Sequence, residues 1–181
     1  NRYIMSQIHS GFIVIDQQAA HERILYEQYL QLLESRQGAS QQCLFPQTVT
    51  LNGPDFQLLM DLLPDIRALG FEIREFGKHT VVVEGIPADL KGVSEREVLE
   101  QLLEDCKQQQ AALKLSRREQ LARSLARHTA VRPGTVLSAA EMSDLIDRLF
   151  ACEMPNVSLN GKPVIVTFTL QELAERFGRS Q

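Results

Sequence analysis

Apolar and polar positions change period several times along the chain, and each change marks an element. Tyr3 to Ile8 and Phe12 to Ile15 are short β-prone runs, and His9-Ser10-Gly11 between them reads as a hairpin turn. From Gln17 to about Arg36 the period becomes helical, with Leu25, Tyr29, Leu32 and Leu33 on one stripe. Asp16 stands where an N-cap belongs, and Gln18 and Glu22 lie one turn apart on one face. The polar stretch Gln37-Gly38-Ala39-Ser40-Gln41-Gln42 reads as a connector and as the best candidate boundary in the chain.

Beyond it, Thr48 to Leu51 is a predicted strand, and Pro54 opens a helix in the first turn, where proline is tolerated. Pro64 is expected to kink or break that helix and Gly70 to end it. Phe71 to Phe76 and Thr80 to Glu84, joined by Gly77-Lys78, read as a second hairpin. Ser94/Glu97, Ser116/Glu119, Ser138/Glu141 and Thr169/Glu172 carry the capping-box spacing, in which side chain and backbone satisfy each other's orphan groups at a helix start. Leu145, Ile146, Leu149 and Phe150 form a helical apolar stripe suited to core packing. Pro163 to Phe168 is an apolar, β-branched run expected to be a buried strand, and Gly161 supplies the turn into it. There is no internal repeat and no low-complexity segment. The order of elements predicts an α/β (α+β) protein whose first and last segments share a sheet around an inserted middle lobe.

Composition narrows the class of partner. The chain has 181 residues, 44% apolar and 23% charged, with no Trp, an ordinary globular balance able to bury a sizeable core. A net charge of −4 argues against polyanion binding by the chain as a whole, so any DNA contact needs a local basic patch or other parts of a longer protein. Lys114, Arg117, Arg118, Arg123 and Arg127 give one helical region such a local balance, although interleaved acids favour a solvated face. Cys43, Cys106 and Cys152 are far apart and odd in number; a disulfide framework is not expected, and a reducing cytoplasm fits. No segment has the length and apolarity of a membrane span, and no signal-peptide pattern opens the chain. Because Asn1 already lies in an apparent strand, a fragment of a longer protein is expected.

Residues 16 to 27, Asp-Gln-Gln-Ala-Ala-His-Glu-Arg-Ile-Leu-Tyr-Glu, carry the most specific signal. They resemble the metal-binding motif in the C-terminal domain of the MutL family of DNA mismatch repair proteins, with Gln18 in place of the motif histidine. The resemblance extends to Ala126-Arg127-His128, where Arg127 replaces a cysteine, and to Ser158-Leu159-Asn160-Gly161-Lys162-Pro163, where Ser158 and Asn160 replace a cysteine and a histidine. Phe177-Gly178-Arg179 matches a terminal signature, and the flanking Pro155-Asn156 and the segment spacing are kept, so the similarity covers essentially the whole chain.

That resemblance implies a dimerisation lobe from 1–46 and 121–181 and an inserted outer, regulatory lobe over 47–120. It implies homodimerisation, with the sliding clamp, MutS, DNA and ATP engaged through the full-length protein and the ATPase lying in an N-terminal region; for the apolar stripe of Leu145, Ile146, Leu149 and Phe150, a surface shared in part with a second subunit is the alternative to core packing. Metal chemistry is a different matter. Asp16, Glu22 and Glu27 survive, but each imidazole or thiolate position quoted above is replaced, and carboxylates alone suit Mg²⁺ or Mn²⁺ better than zinc. The expectation is no resident metal and no activity of this segment's own, with Arg127 pairing Glu22 in place of a cation. The alternative is an active metal-dependent DNA-nicking endonuclease using Asp16, Glu22 and Glu27 with Mn²⁺ or Mg²⁺. His21 and His128 sit beside motif positions rather than in them and read first as hydrogen-bonded side chains; they would serve as substitute ligands only if the helix were rotated. A small-molecule-binding module has no convergent polar cluster behind it, and no Walker-type loop, nucleophile triad or dinucleotide fingerprint is present.

One further motif lies in the connector. Gln41-Gln42-Cys43-Leu44-Phe45-Pro46 fits Gln-x-x-Leu-x-Pro and looks like the internal peptide by which MutL proteins contact the replication sliding clamp. Leu44 would enter an apolar pocket, Gln41 would satisfy backbone groups at its rim, and Pro46 would keep the peptide extended. The competing reading has Leu44 and Phe45 packing beneath the middle lobe.

Overall fold

In a computed structural model, residues 1–88, 90, 94–109 and 115–179 are described. The chain divides into two compact units, Asn1–Leu25 with the segment from Ala130 onward, and Tyr26–Thr129.

The first unit is built on a sheet of order β1-β2-β6. Strands β1 (Tyr3–Ile8) and β2 (Gly11–Asp16) form the expected hairpin, and β2 pairs antiparallel with β6 (Ile165–Thr169). Gly11 is required where the hairpin meets β6: a Cβ there would collide with the carbonyl oxygen of Phe168. The register places Ile4 opposite Ile15, and these, with Ile13, point to one face. That face buries against Ala20 and Ile24 of α1 (Gln17–Ser35), Leu145 and Leu149 of α5 (Ala139–Phe150), and Val164. The remaining helix, α6 (Leu170–Arg176), starts at Thr169 with a complete capping box, as α5 does at Ser138. β6 is not the buried strand expected from its composition. As an edge strand it leaves Val166 47% exposed, because only one of its neighbours is a strand.

In the second unit the sheet order is β3-β5-β4, from β3 (Ser40–Thr50), β5 (Thr80–Pro87) and β4 (Glu72–Glu75). Helices α2 (Gly53–Ala68), α3 (Glu95–Gln109) and α4 (Arg117–Thr129) complete it, with α3 packed along α4. Leu25, Tyr29 and Leu33 of the α1 stripe are all buried. Asn52 caps α2 by accepting the Asp55 N–H, and Ser116 and Glu119 exchange capping bonds at the start of α4. α2 ends at Gly70 (φ +102°), where the Gly70 N–H bonds the Arg67 carbonyl and the Phe71 N–H bonds that of Ile66, the paired closure of a Schellman motif.

Some expectations fail here for identifiable reasons. Pro64 does not break α2, which continues to Ala68; the loss of one N–H donor is outweighed by burial of Leu62 and Ile66 on either side. The polar connector is no boundary, since Ser40, Gln41 and Gln42 pair with Pro87, Ile86 and Gly85. An edge strand needs backbone partners, not apolar side chains, so its composition resembled a linker. The compact units divide after Leu25 and after Thr129, and within the second β3 pairs along β5 and α4 packs on α3.

Candidate functional site

The residues carrying the metal-motif resemblance have local roles that their own elements explain. Asp16 ends β2 and caps α1, its Oδ1 accepting the Ala19 N–H at 3.0 Å, while Arg2 lies 3.6 Å from its other oxygen. One turn on, Gln18 Nε2 donates to Glu22 Oε1 at 2.8 Å, so the glutamine at the motif's histidine position is a donor to the very carboxylate that a histidine would share a metal with. Glu27 and Arg127 belong to the second unit and both have interaction partners. Ser158 is buried: its Oγ accepts the Lys162 N–H at 3.0 Å, and its carbonyl accepts the Gly161 N–H, with Gly161 at φ +75°. Asn160 sits exposed in that same turn. The Ser158–Pro163 motif segment is thus a self-satisfied turn, tied to α1 by Arg23 Nε donating to the Val157 carbonyl at 2.8 Å.

These donors do not fit a zinc ion. Among the described residues no group of three or more His, Cys, Asp or Glu side chains converges, and of the first unit's carboxylates Asp16 caps a helix and Glu22 accepts an amide. Each histidine beside the motif is hydrogen-bonded. His21 Nδ1 accepts the Val131 N–H at 3.0 Å, and burial, reinforced by the nearby Arg148 charge, pushes its pKa down to about 4. His128 Nε2 lies 2.9 Å from Asp105 Oδ2, which also accepts the Ser124 hydroxyl at 2.7 Å. Burial works against the Asp105 charge, but those hydrogen bonds outweigh it and hold the carboxyl below the usual carboxylate range. The arrangement is not a nucleophile triad, because the carboxylate, not the imidazole, accepts the hydrogen bond from the serine hydroxyl.

The basic run on α4 is largely engaged. Arg118 lies 3.5 Å from Asp65, Arg117 reaches the Asp61 carbonyl, and Arg123 and Arg127 also have partners. Lys114 lies outside the described residues.

The Gln41–Pro46 motif is where the structure is most informative. Gln41 and Gln42 hold the β5 register, then pairing is interrupted until Gln47, which faces Val83. Within the interruption Leu44 is 91% and Phe45 80% exposed, so neither packs beneath the lobe.

A second apolar feature was not singled out from sequence. The outer face of the β1-β2-β6 sheet carries the rows Met5–Val14–Val166 and Gln7–Phe12–Phe168. Met5 is 68% exposed, and the Phe12 and Phe168 rings stack at 4.9 Å with the Arg176 guanidinium 5.8 Å from the Phe168 centroid. The signal was present: Phe12-Ile13-Val14-Ile15 and Val164-Ile165-Val166 are apolar at successive positions, which in a strand means both faces.

An α/β chain that leaves Met5 and Val166 exposed together on one sheet face, beside the stacked Phe12 and Phe168, has a surface of the kind assembly domains carry. The family model described as MutL C terminal dimerisation domain matches residues 1–137, and the chain belongs to that family. It is 43% identical over 180 residues to the DNA mismatch repair protein MutL of Chloroherpeton thalassium, covering 99% of this chain and 28% of that protein. It is 41% identical over 179 residues to the MutL of Prosthecochloris aestuarii, with 99% and 29% coverage. The MutL of Chlorobaculum tepidum is 40% identical over 180 residues. The chain therefore spans less than a third of the length of the curated relatives it matches.

Proposed function

We propose that this chain joins two copies of a mismatch repair protein through the outer face of its β1-β2-β6 sheet. The observation that carries the reading is the row Met5–Val14–Val166 beside the stacked Phe12 and Phe168. An apolar sheet face is half of a packed layer, and a copy related by a two-fold axis offers the same rows in self-complementary order. In the longer protein, such a joint would tether paired ATPase regions so that they close together on DNA and relay a mismatch signal delivered by MutS. Sedimentation equilibrium of the chain tests it: a dimer is expected at micromolar concentration, and a monomer persisting to tens of micromolar would sink the reading.

A second surface, the Gln41–Pro46 peptide, would bind the sliding clamp, with Leu44 as its apolar anchor, Gln41 at the pocket rim and Pro46 limiting the chain to an extended course. The support is the interruption of β3 pairing that leaves Leu44 nearly free of contacts. Nicking of DNA is the less favoured reading, since Gln18, Arg127, Ser158 and Asn160 stand where metal ligands would be, and no step is routed through a metal here.

A further inference from the structure

Short helices gain little from their own hydrogen bonds, and in proteins they persist by packing an apolar face against something else. α6 has the sequence for that but not the surroundings. Leu170, Leu173, Ala174 and Phe177 fall at i, i+3, i+4 and i+7, one continuous apolar stripe. Yet no residue of the helix is buried. Leu170 is 61% and Phe177 78% exposed, and Leu173 and Ala174 are half-buried.

Both ends of this helix are closed nonetheless. Thr169 and Glu172 exchange capping bonds at the start. At the finish the Gly178 N–H bonds the Glu175 carbonyl and the Arg179 N–H that of Ala174, with Gly178 at φ +68°, a second Schellman closure. The polar side is also satisfied, Gln171 Nε2 donating to Glu175 Oε1 at 3.2 Å. Seven residues are thus fixed as a helix whose apolar stripe is left largely to water, which forfeits the stabilisation that burying it brings. The helix's position names the occupant. α6 starts where β6 ends, so it continues the strand that carries Val166 and Phe168, and Arg176 reaches back over the Phe168 ring. A molecule seated on the outer sheet face meets α6 at its margin, and the family is one of dimerisation domains.

We infer that α6 is a clasp of the dimer: its Leu170–Leu173–Phe177 stripe packs against a second copy of this chain, along the margin of the β1-β2-β6 face. A two-fold axis gives each copy one clasp, so two stripes are covered per dimer. Because both caps form within the helix and its flanks, α6 is shaped before contact, and little ordering cost falls on association. The inference rests on the sheet-face reading above and extends it to a segment that contributes nothing to the buried core.

The test is the dimer dissociation constant by sedimentation equilibrium for the wild type, Leu170→Asp, Phe177→Lys, Gln171→Asp and Met5→Asp. An acid in the first turn and a base at the last suit the helix dipole, so the two stripe variants should keep α6 intact. Each is expected to raise the constant roughly tenfold or more, as loss of an apolar contact does. Gln171→Asp, off the stripe, should leave it unchanged. Amide exchange gives a second reading: residues 173–177 should be protected in the wild-type dimer and exchange faster in monomeric Met5→Asp. Dissociation by Met5→Asp, with full association kept in both stripe variants, overturns the clasp and leaves the sheet-face reading standing. A wild type that stays monomeric overturns both. Equal weakening by Gln171→Asp would mark a general effect of added charge and likewise overturn the clasp.

Discussion

His21 Nδ1 accepts a hydrogen bond from the Val131 amide at 3.0 Å, an arrangement only the neutral imidazole can make. It ties the first turns of α1 to the segment that follows α4, within one compact unit. The histidine that sequence placed next to a metal motif is spent on holding backbone.

Folding should therefore become pH-dependent at a defined place. Burial lowers the His21 pKa from 6.5 to about 4, so the unfolded chain binds the proton more readily than the folded one. The contribution is complete above pH 6.5, declines as pH falls, and is gone near pH 4. Its size is on the order of 3 kcal/mol. Urea unfolding at a series of pH values should show that decline, and His21→Gln, which keeps a short acceptor without the titration, should flatten it. An unchanged slope in the variant would show that other groups govern acid sensitivity.

Asp105 makes a parallel case in the second unit. It accepts from Ser124 and His128 at once, joining α3 to α4, and its carboxyl is held below its usual 3.8. Its stabilising charge is present above that value and is lost as pH falls through the lower folded one. Asp105→Ala strands the fully buried Ser124 hydroxyl and is expected to cost about 1–3 kcal/mol. Chemical denaturation at pH 7 measures this directly; a change under half a kilocalorie would mean the knot is ornamental.

The proposed dimer face can be separated from the core beneath it. Met5→Asp and Val166→Asp place charges where side chains are already exposed, so the monomer fold should survive while association weakens by roughly tenfold or more per substitution, as expected for burying an apolar side chain worth about 1.5–3 kcal/mol. Leu149→Ala, by contrast, removes a fully buried side chain of the core and should destabilise folding by about 2–5 kcal/mol. Light scattering paired with thermal melts distinguishes the two effects.

Metal removal should change little. With Gln18 donating to Glu22 and Asp16 capping α1, the expected result is that exhaustive EDTA treatment leaves the melting temperature and oligomeric state unaltered. Supercoiled DNA incubated with Mn²⁺ should remain intact. Stoichiometric zinc or manganese in the purified protein, with nicking lost in Glu22→Lys, would establish the endonuclease reading instead.

Much of the fold could be read from local chemistry. The β1–β2 hairpin, the α1 stripe, the termination at Gly70 and the capping boxes at Ser116, Ser138 and Thr169 all rest on interactions within a few residues of the signal. The spacing of the motif segments pointed to the family that the comparisons later showed. Where reading failed, a distant partner was responsible. Ser40-Gln41-Gln42 looked like a linker because nothing in those residues announces Ile86 and Gly85, more than forty positions away. Pro64 reads as a kink or break, yet α2 continues past it because the burial that carries it comes from outside the helix. The exposure of β6 followed from its place at the sheet edge, which composition does not encode.

By itself, then, the sequence determined the capped helix starts, the hairpins and the family, since each depends on residue identity at short range or at matched positions. Only the tertiary structure decided which apolar residues remain in water. Met5 and Ile4 are neighbours of similar chemistry, as are Leu44 and its strand-mate Val49, yet one of each pair is buried and the other is not. Burial depends on what arrives on each face of a strand and on where pairing lapses, and those are properties of the assembled sheets.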